Sequence, residues 1–343
     1  MKSLMAAAAF AASFAAPASH AGGTLFDAVS LGGSRGMALR VLSEPGLPAE
    51  AAGVRDGIAR SMGLAGDQGS LVSTSLKVSP VLRLDDNVNG GMASDELVIG
   101  GYRFLVDERF RARGGVVVGG AVSAGAAYAL GERTGIEFGL QASAAFAPAL
   151  SMTKTAVRGE ACVRHVTADY GTLLSGCADV SARDQELGSS RKAGVEVSAS
   201  RTFVGRAAVH EAEVTLRREK EFENGAVRDQ VGLRYGAATP GGVAFSAEIG
   251  FGTASKDVMT TRRRAGVSAA AIVAGRPTRL GVSVQEGRGG LFLGEERREV
   301  TISAFASRQV TDRLTIGVHA TRTRARHDFF DDAGFGVDFG IRF

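Results

Sequence analysis

The sequence predicts an all-β protein, a transmembrane antiparallel up-and-down β-barrel of about 14 strands, on three observations. Phe335 to Phe343 reads Phe-Gly-Val-Asp-Phe-Gly-Ile-Arg-Phe, with a large apolar residue at every odd position and glycine or charge at every even one. Successive strand side chains point to opposite faces, so this segment offers one face to lipid and one to a polar lumen. From Leu71 onward, alternating segments of about 10 to 15 residues recur between glycine-, proline- or charge-rich turns. After the N-terminal leader, no window approaches the ~20 apolar residues of a spanning helix. Glycine is abundant (47) and proline scarce (7), so the membrane character is carried by alternation.

The elements follow in order. Met1-Lys2 is a short basic start, Leu4 to Ala16 an apolar run too short to span a bilayer, and Ser19-His20-Ala21 supplies small residues for cleavage. Residues 1–21 are therefore expected to be a cleaved signal peptide and the mature chain to begin near Gly22, with the bacterial outer membrane as its destination. Residues 22–70 do not alternate. Val54, Ile58 and Met62, behind Pro48, give Ala51 to Leu64 a weak helical pattern that Gly53, Gly57 and Gly63 oppose. This segment is expected to be a plug, a periplasmic docking segment or a disordered stretch. The barrel is expected over residues 71–343, with strands starting near Leu71, Gly115, Gly135, Lys154, Thr172, Arg191, Arg206, Ala226, Val243, Met259, Thr278, Arg298, Arg313 and Gly334.

Short connections at Gly131-Glu132-Arg133, Asp169-Tyr170, Val204-Gly205, Pro240-Gly241, Gly275-Arg276-Pro277 and Thr311-Asp312 belong at the periplasmic end, and the mostly longer ones at the outer end. Asn224-Gly225 is a two-residue hairpin signal; centred there, it pairs Leu216 with Leu233, Val214 with Tyr235, Lys220 with Asp229 and Glu221 with Arg228. Alternation turns Ile136, Phe138, Leu140, Val231, Leu233, Phe245, Ile249, Val300, Ile302, Ile316 and Val318 to lipid. It turns Lys77, Glu137, Gln141, Arg164, Glu196, Glu211, Glu213, Arg217, Arg234, Glu248, Arg279, His319, Asp338 and Arg342 to the lumen. Tyr128, Tyr170 and Tyr235 mark one aromatic girdle at the periplasmic end.

Cys162 and Cys177, symmetric about Asp169-Tyr170 and sharing parity with charged neighbours, are expected to form a cross-strand disulfide on the lumen side. Phe335, Val337, Phe339, Ile341 and Phe343 resemble the signal by which the outer-membrane assembly machinery recognises a closing strand. The formal charge of +4 becomes +3 without Lys2, too mild to point to nucleic acid. No Gly-x-Ser-x-Gly, zinc-binding helix or phosphate loop is present, so no enzyme, cofactor or metal is expected. Asp85-Asp86 and His327-Asp328 resemble the paired groups of omptin-type proteases, a remote option.

The most distinctive local run is Pro80 to Gly91, containing Asp85, Asp86, Asn87, Asn89, Gly90 and Gly91. The strand leading into Asp-Asp-Asn-Val-Asn is similar to the start of the barrel in the surface lipoprotein assembly modifier family. The resemblance implies a fourteen-stranded barrel that helps deliver a surface lipoprotein client. Members carry tetratricopeptide repeats before the barrel, for which the ~50 residues here are too short. The same oxygen-rich residues are a candidate hard-cation site, or simply a tight loop entry. Arg262-Arg263-Arg264 is a candidate contact for lipopolysaccharide phosphates. Phe329-Phe330 is an apolar pair in an acidic loop, placed against a partner, on lipid or in the mouth. Transport or surface-protein assembly is the leading functional class, with a passive diffusion porin or a structural surface barrel as alternatives.

Overall fold

A computed structural model of the protein describes residues 24–44, 49–92, 94–99, 102–253, 255, 258–292 and 294–341. The proposed leader, Arg342 and Phe343 lie outside them. Fourteen strands form a closed barrel: β1 (Leu71–Asp85), then β4 (Gly115–Gly131), β5 (Thr134–Ala147), β6 (Met152–Val166), β7 (Thr172–Gln185), β8 (Gly188–Val204), β9 (Val209–Glu221), β10 (Val227–Ala238), β11 (Val243–Gly252), β12 (Thr260–Val273), β13 (Arg276–Phe292), β14 (Glu295–Gln309), β15 (Leu314–Ala325) and β16 (Asp332–Ile341). Each predicted start falls within three residues of the observed one. The first long connection carries a separate hairpin, β2 (Glu96–Ile99) with β3 (Tyr102–Leu105).

Alternation fixes the faces as expected. Leu76, Val195, Val197, Leu216, Leu233, Ile249 and Ile302 stand exposed on the outside, and the charged residues of opposite parity meet one another inside. Leu233→Arg is expected to lower stability by about 2–4 kcal/mol, the cost of a cation at mid-depth. Inward Ser283→Arg should leave the unfolding midpoint near wild type; urea titration in lipid vesicles makes the comparison.

The register between β9 and β10 corrects the hairpin expectation. Leu216 pairs with Val231, Val214 with Leu233, Ala212 with Tyr235, Arg218 with Asp229 and Glu219 with Arg228. The turn is longer because a two-residue turn of that type needs positive φ at both central positions, and here only Gly225 has it, at +68°. Asn224 instead accepts from the Ala226 N–H and donates to Glu221. A slip of two residues preserves which face each side chain takes.

Cys162 and Cys177 are register partners and are joined as a disulfide. The turn between them is set by Asp169, whose carboxylate accepts from the Thr167 hydroxyl and the Gly171 N–H; these bonds hold its pKa below the usual range. Mass spectrometry of non-reduced peptides is expected to recover the two cysteines linked, and recovery as free thiols from exported protein would contradict the pairing.

Strand β16 meets β1 through one register pair among the described residues, Arg83 with Asp338, where every other seam has at least nine. Continuing that register places Pro80 opposite Ile341, and proline has no N–H to donate. The residues of β1 before Pro80 lie past the described end of β16.

Before the barrel come three helices: α1 (Leu25–Gly32), α2 (Arg35–Val41) and α3 (Ala49–Ser61). The weak pattern over Ala51 to Leu64 corresponds to α3; α1 and α2 are too short to show a period. Their caps are legible in retrospect. Thr24 accepts from the Asp27 N–H while Asp27 accepts from the Thr24 N–H, a reciprocal capping box. Ser34 accepts from the Met37 N–H at the start of α2.

Candidate functional site in the lumen

At the short-turn end, the three helices pack on inward-facing wall residues. Ala28, Val29, Met37, Ala38 and Val41 form one buried cluster with Val209 and Ala238; Leu39, Ala59, Met62 and Leu64 form another with Val166. Polar groups fix the helices laterally. Arg35 donates to both oxygens of Glu137 at 3.1 and 3.0 Å, and Arg164 donates to the same carboxylate at 2.9 Å. Ser34 donates to Glu211 at 2.6 Å, and Glu211 is 3% exposed. Arg279 donates to the Leu31 carbonyl. The closest approach is at Gly63, φ +72°, where a Cβ would lie 2.4 Å from the Tyr128 carbonyl oxygen and 3.0 Å from the Gly135 Cα. Only glycine permits both that dihedral and that contact. Thus Glu137, Arg164, Glu211 and Arg279, predicted as lumen residues, hold the N-terminal segment.

At mid-depth the lumen is hollow. Gln141, Ser283, Gln285, His319 and Asp338 face inward and are exposed, and Ser303 on the same face is half-buried. The wall is asymmetric. From β6 to β12 it carries linked charge: Arg158 with Glu160 at 2.9 Å, Arg217 with Asp179 at 2.6 Å, Arg217 with Glu219 at 3.2 Å, Arg228 with Glu221 at 2.6 Å and Arg234 with Glu213 at 2.7 Å. A cavity of about 440 Å³ opens along this wall between Glu196, Arg217, Arg234, Glu248 and Arg264. The opposite wall presents mostly hydroxyls and glycine, including Ser283, Ser303, Thr301 and Thr323, the last two hydrogen-bonded at 2.9 Å. Charge-assisted pairs of this kind keep long side chains against the wall instead of collapsed across the bore. Asp179→Ala is expected to cost about 1.5–3 kcal/mol, the worth of hydrogen bonds to a charged group, because Arg217 keeps Glu219 and Glu196 as partners; denaturant unfolding checks it.

At the long-loop end, the Asp85 to Gly91 run is used structurally. Asp85 accepts from Lys154 at 2.8 Å, Arg83 at 2.7 Å and the Asn87 N–H at 3.1 Å. Asn87 donates to the Gly91 carbonyl; Asn89, 1% exposed, accepts from the Gly91 and Arg113 N–H groups and donates to the Arg111 carbonyl. Val88 is buried with Val117, Ala147 and Met152, so the run folds into the mouth beside β4–β6. A Cβ on Gly90 would meet the Gln185 amide at 1.9 Å. Asp85 and Asn89 thus serve the tight loop entry, one of the two roles the sequence offered for this run; Asp86 lies against Gly334.

Across the mouth, Phe329 and Phe330 pack on Phe292, with the Arg297 guanidinium 3.6 Å from the Phe330 ring centre, and His327 faces Glu295 at 3.8 Å. Asp85 and His327 thus have different partners. The Arg262-Arg263-Arg264 run does not form one patch: alternation sets Arg263 outside and Arg264 in the lumen near Glu248, and a bulge between Thr261 and Arg263 takes up Arg262.

No family model matches the chain, and no curated protein matches it. Among solved structures, it is similar to Pseudomonas aeruginosa OccK10 (OpdN), at 9% identity over 79% of this chain and 99% of that one, TM-score 0.42. It is also similar to Acinetobacter baumannii OccAB3, at 7% identity over 79% and 98%, TM-score 0.43, and to P. aeruginosa OccK2 (OpdF) in complex with glucuronate, at 8% identity over 80% and 99%, TM-score 0.41.

Proposed function

We propose that this protein is an outer-membrane channel for passive diffusion of small hydrophilic solutes, with residues 24–64 as its resident periplasmic constriction. The observation that carries the reading is the closed barrel with an apolar exterior around a hollow, polar lumen whose inward residues are exposed on both walls. Barrels of this size fall between filled small barrels and wide porins, and the paired charges keep a wet path without a strong preference for either ion sign. The signal-like leader and the alternating terminal strand support export and recognition by the outer-membrane assembly machinery. Planar-bilayer recording of the mature protein is expected to show steady conductance; a protein that folds, inserts and never conducts would contradict the reading.

A second reading, delivery of a surface lipoprotein client, draws support from the Asp-Asp-Asn-Val-Asn run and from the single register pair that joins β1 to β16 among the described residues, a seam suited to lateral parting. A deletion strain that loses a lipoprotein from its surface while the purified barrel stays electrically silent would favour it over the channel.

A further inference from the structure

On the outer face near the long-loop end, Arg263, Arg322 and Arg324 are exposed and have no ion-pair or hydrogen-bond partner among the described residues. Their direction follows from alternation: Thr323 bonds Thr301 and His319 bonds Asp338 on the inner face, so Arg322 and Arg324 between them point outward. Arg263, Glu286, Val300 and Arg324 form one row across β12–β15, with Arg263 and Arg324 about 14 Å apart at three strand spacings. Arg322 sits two residues deeper, beside Ile302 and Ala333. The acidic neighbours do not neutralise the group. Glu286 pairs with Arg288 and Glu296 with Arg298, and the exposed Asp331 beside Arg324 accepts from the Ala325 N–H; set against three arginines, that one carboxylate leaves the patch positive. Elsewhere on this rim Arg218 is forked onto Asp229. Below the arginines lies bare apolar surface, including Ile302 at 51% and Phe335 at 59% exposure.

A cation on the lipid face costs least at the interface, and one with no protein partner gains most from an anionic headgroup. We infer that Arg263, Arg322 and Arg324 bind the phosphates of lipopolysaccharide, with its acyl chains on Ile302 and Phe335. The inference rests on the outer-membrane reading above and adds a lipid site to it.

The test is native mass spectrometry of the full-length protein in detergent with purified bis-phosphorylated lipid A as probe. Wild type is expected to hold lipid A through the gas phase. The triple variant Arg263→Gln/Arg322→Gln/Arg324→Gln should bind about tenfold more weakly or worse, and the corresponding triple lysine variant should keep most of the binding. On wild type, dephosphorylated lipid A should bind about tenfold more weakly than phosphorylated lipid A, a comparison that needs no mutant; heat-modified gel mobility verifies folding of the variants. Equal binding of phosphorylated and dephosphorylated lipid A, or wild-type binding by a folded glutamine variant, would overturn the site. Membrane fractionation separates this from the parent reading. Wild type found outside the outer membrane would sink that reading, while outer-membrane protein with phosphate-independent binding would sink the lipid site alone.

Discussion

Removing residues 22–64 is expected to raise the single-channel conductance of the purified protein several-fold. Those residues bury two apolar clusters against the inner wall and anchor Arg35 on Glu137 and Ser34 on Glu211, so they occupy cross-section that water would otherwise fill. A point substitution should give part of the effect. In Gly63→Val the side chain would have to enter space 2.4 Å from the Tyr128 carbonyl, at a dihedral that β-branched residues avoid; the helices should shift from the wall and the closed-level current rise. Gly57→Ala, where a Cβ meets nothing within 4 Å, is the control and should conduct as wild type. Unchanged conductance in both the deletion and Gly63→Val would mean that the helices do not constrict the path.

Deleting Phe343 is expected to reduce outer-membrane levels sharply, because the closing strand loses the terminal aromatic of its alternating signal while little folding energy is removed. Its partner strand makes this seam vulnerable: among the described residues β1 holds β16 by one register pair, so slow delivery or weak closure both act at the same edge. Immunoblotting of fractionated membranes reads the level, and wild-type amounts after the deletion would show that the last strand is not recognised in this way.

Much of the barrel was legible because its signal is local. Period-two alternation placed Ile136, Phe138 and Leu140 outside and Glu137 and Gln141 inside, and symmetry about Asp169-Tyr170 aligned Cys162 with Cys177. Where reading failed, the deciding physics was not in the period. Asn224-Gly225 marked a turn, but the backbone of Asn224 did not take the conformation the shorter turn requires, and the register moved by two. In Arg262-Arg263-Arg264 the bulge takes up Arg262, which no period announces, while alternation sets Arg263 and Arg264 on opposite faces. The helices α1 and α2 carry too few turns for a periodic signal, and only their caps at Thr24 and Ser34 announce them. Their docking on Glu137 and Glu211 joins residues more than a hundred positions apart, which no local pattern encodes. The Asp-Asp-Asn-Val-Asn run drew attention for its oxygen atoms, yet Lys154, Arg83 and the Arg113 N–H claim the oxygens of Asp85 and Asn89.

The central claim is that solutes cross the membrane through the hollow lumen, and liposome swelling tests it most directly. Vesicles carrying the full-length protein, placed in iso-osmotic solutions of small neutral sugars, are expected to swell faster than protein-free vesicles, more slowly as the sugar grows, and faster at every size once residues 22–64 are removed. Vesicles that contain folded, inserted protein yet swell no faster than empty ones, with the helices present or absent, would contradict the channel.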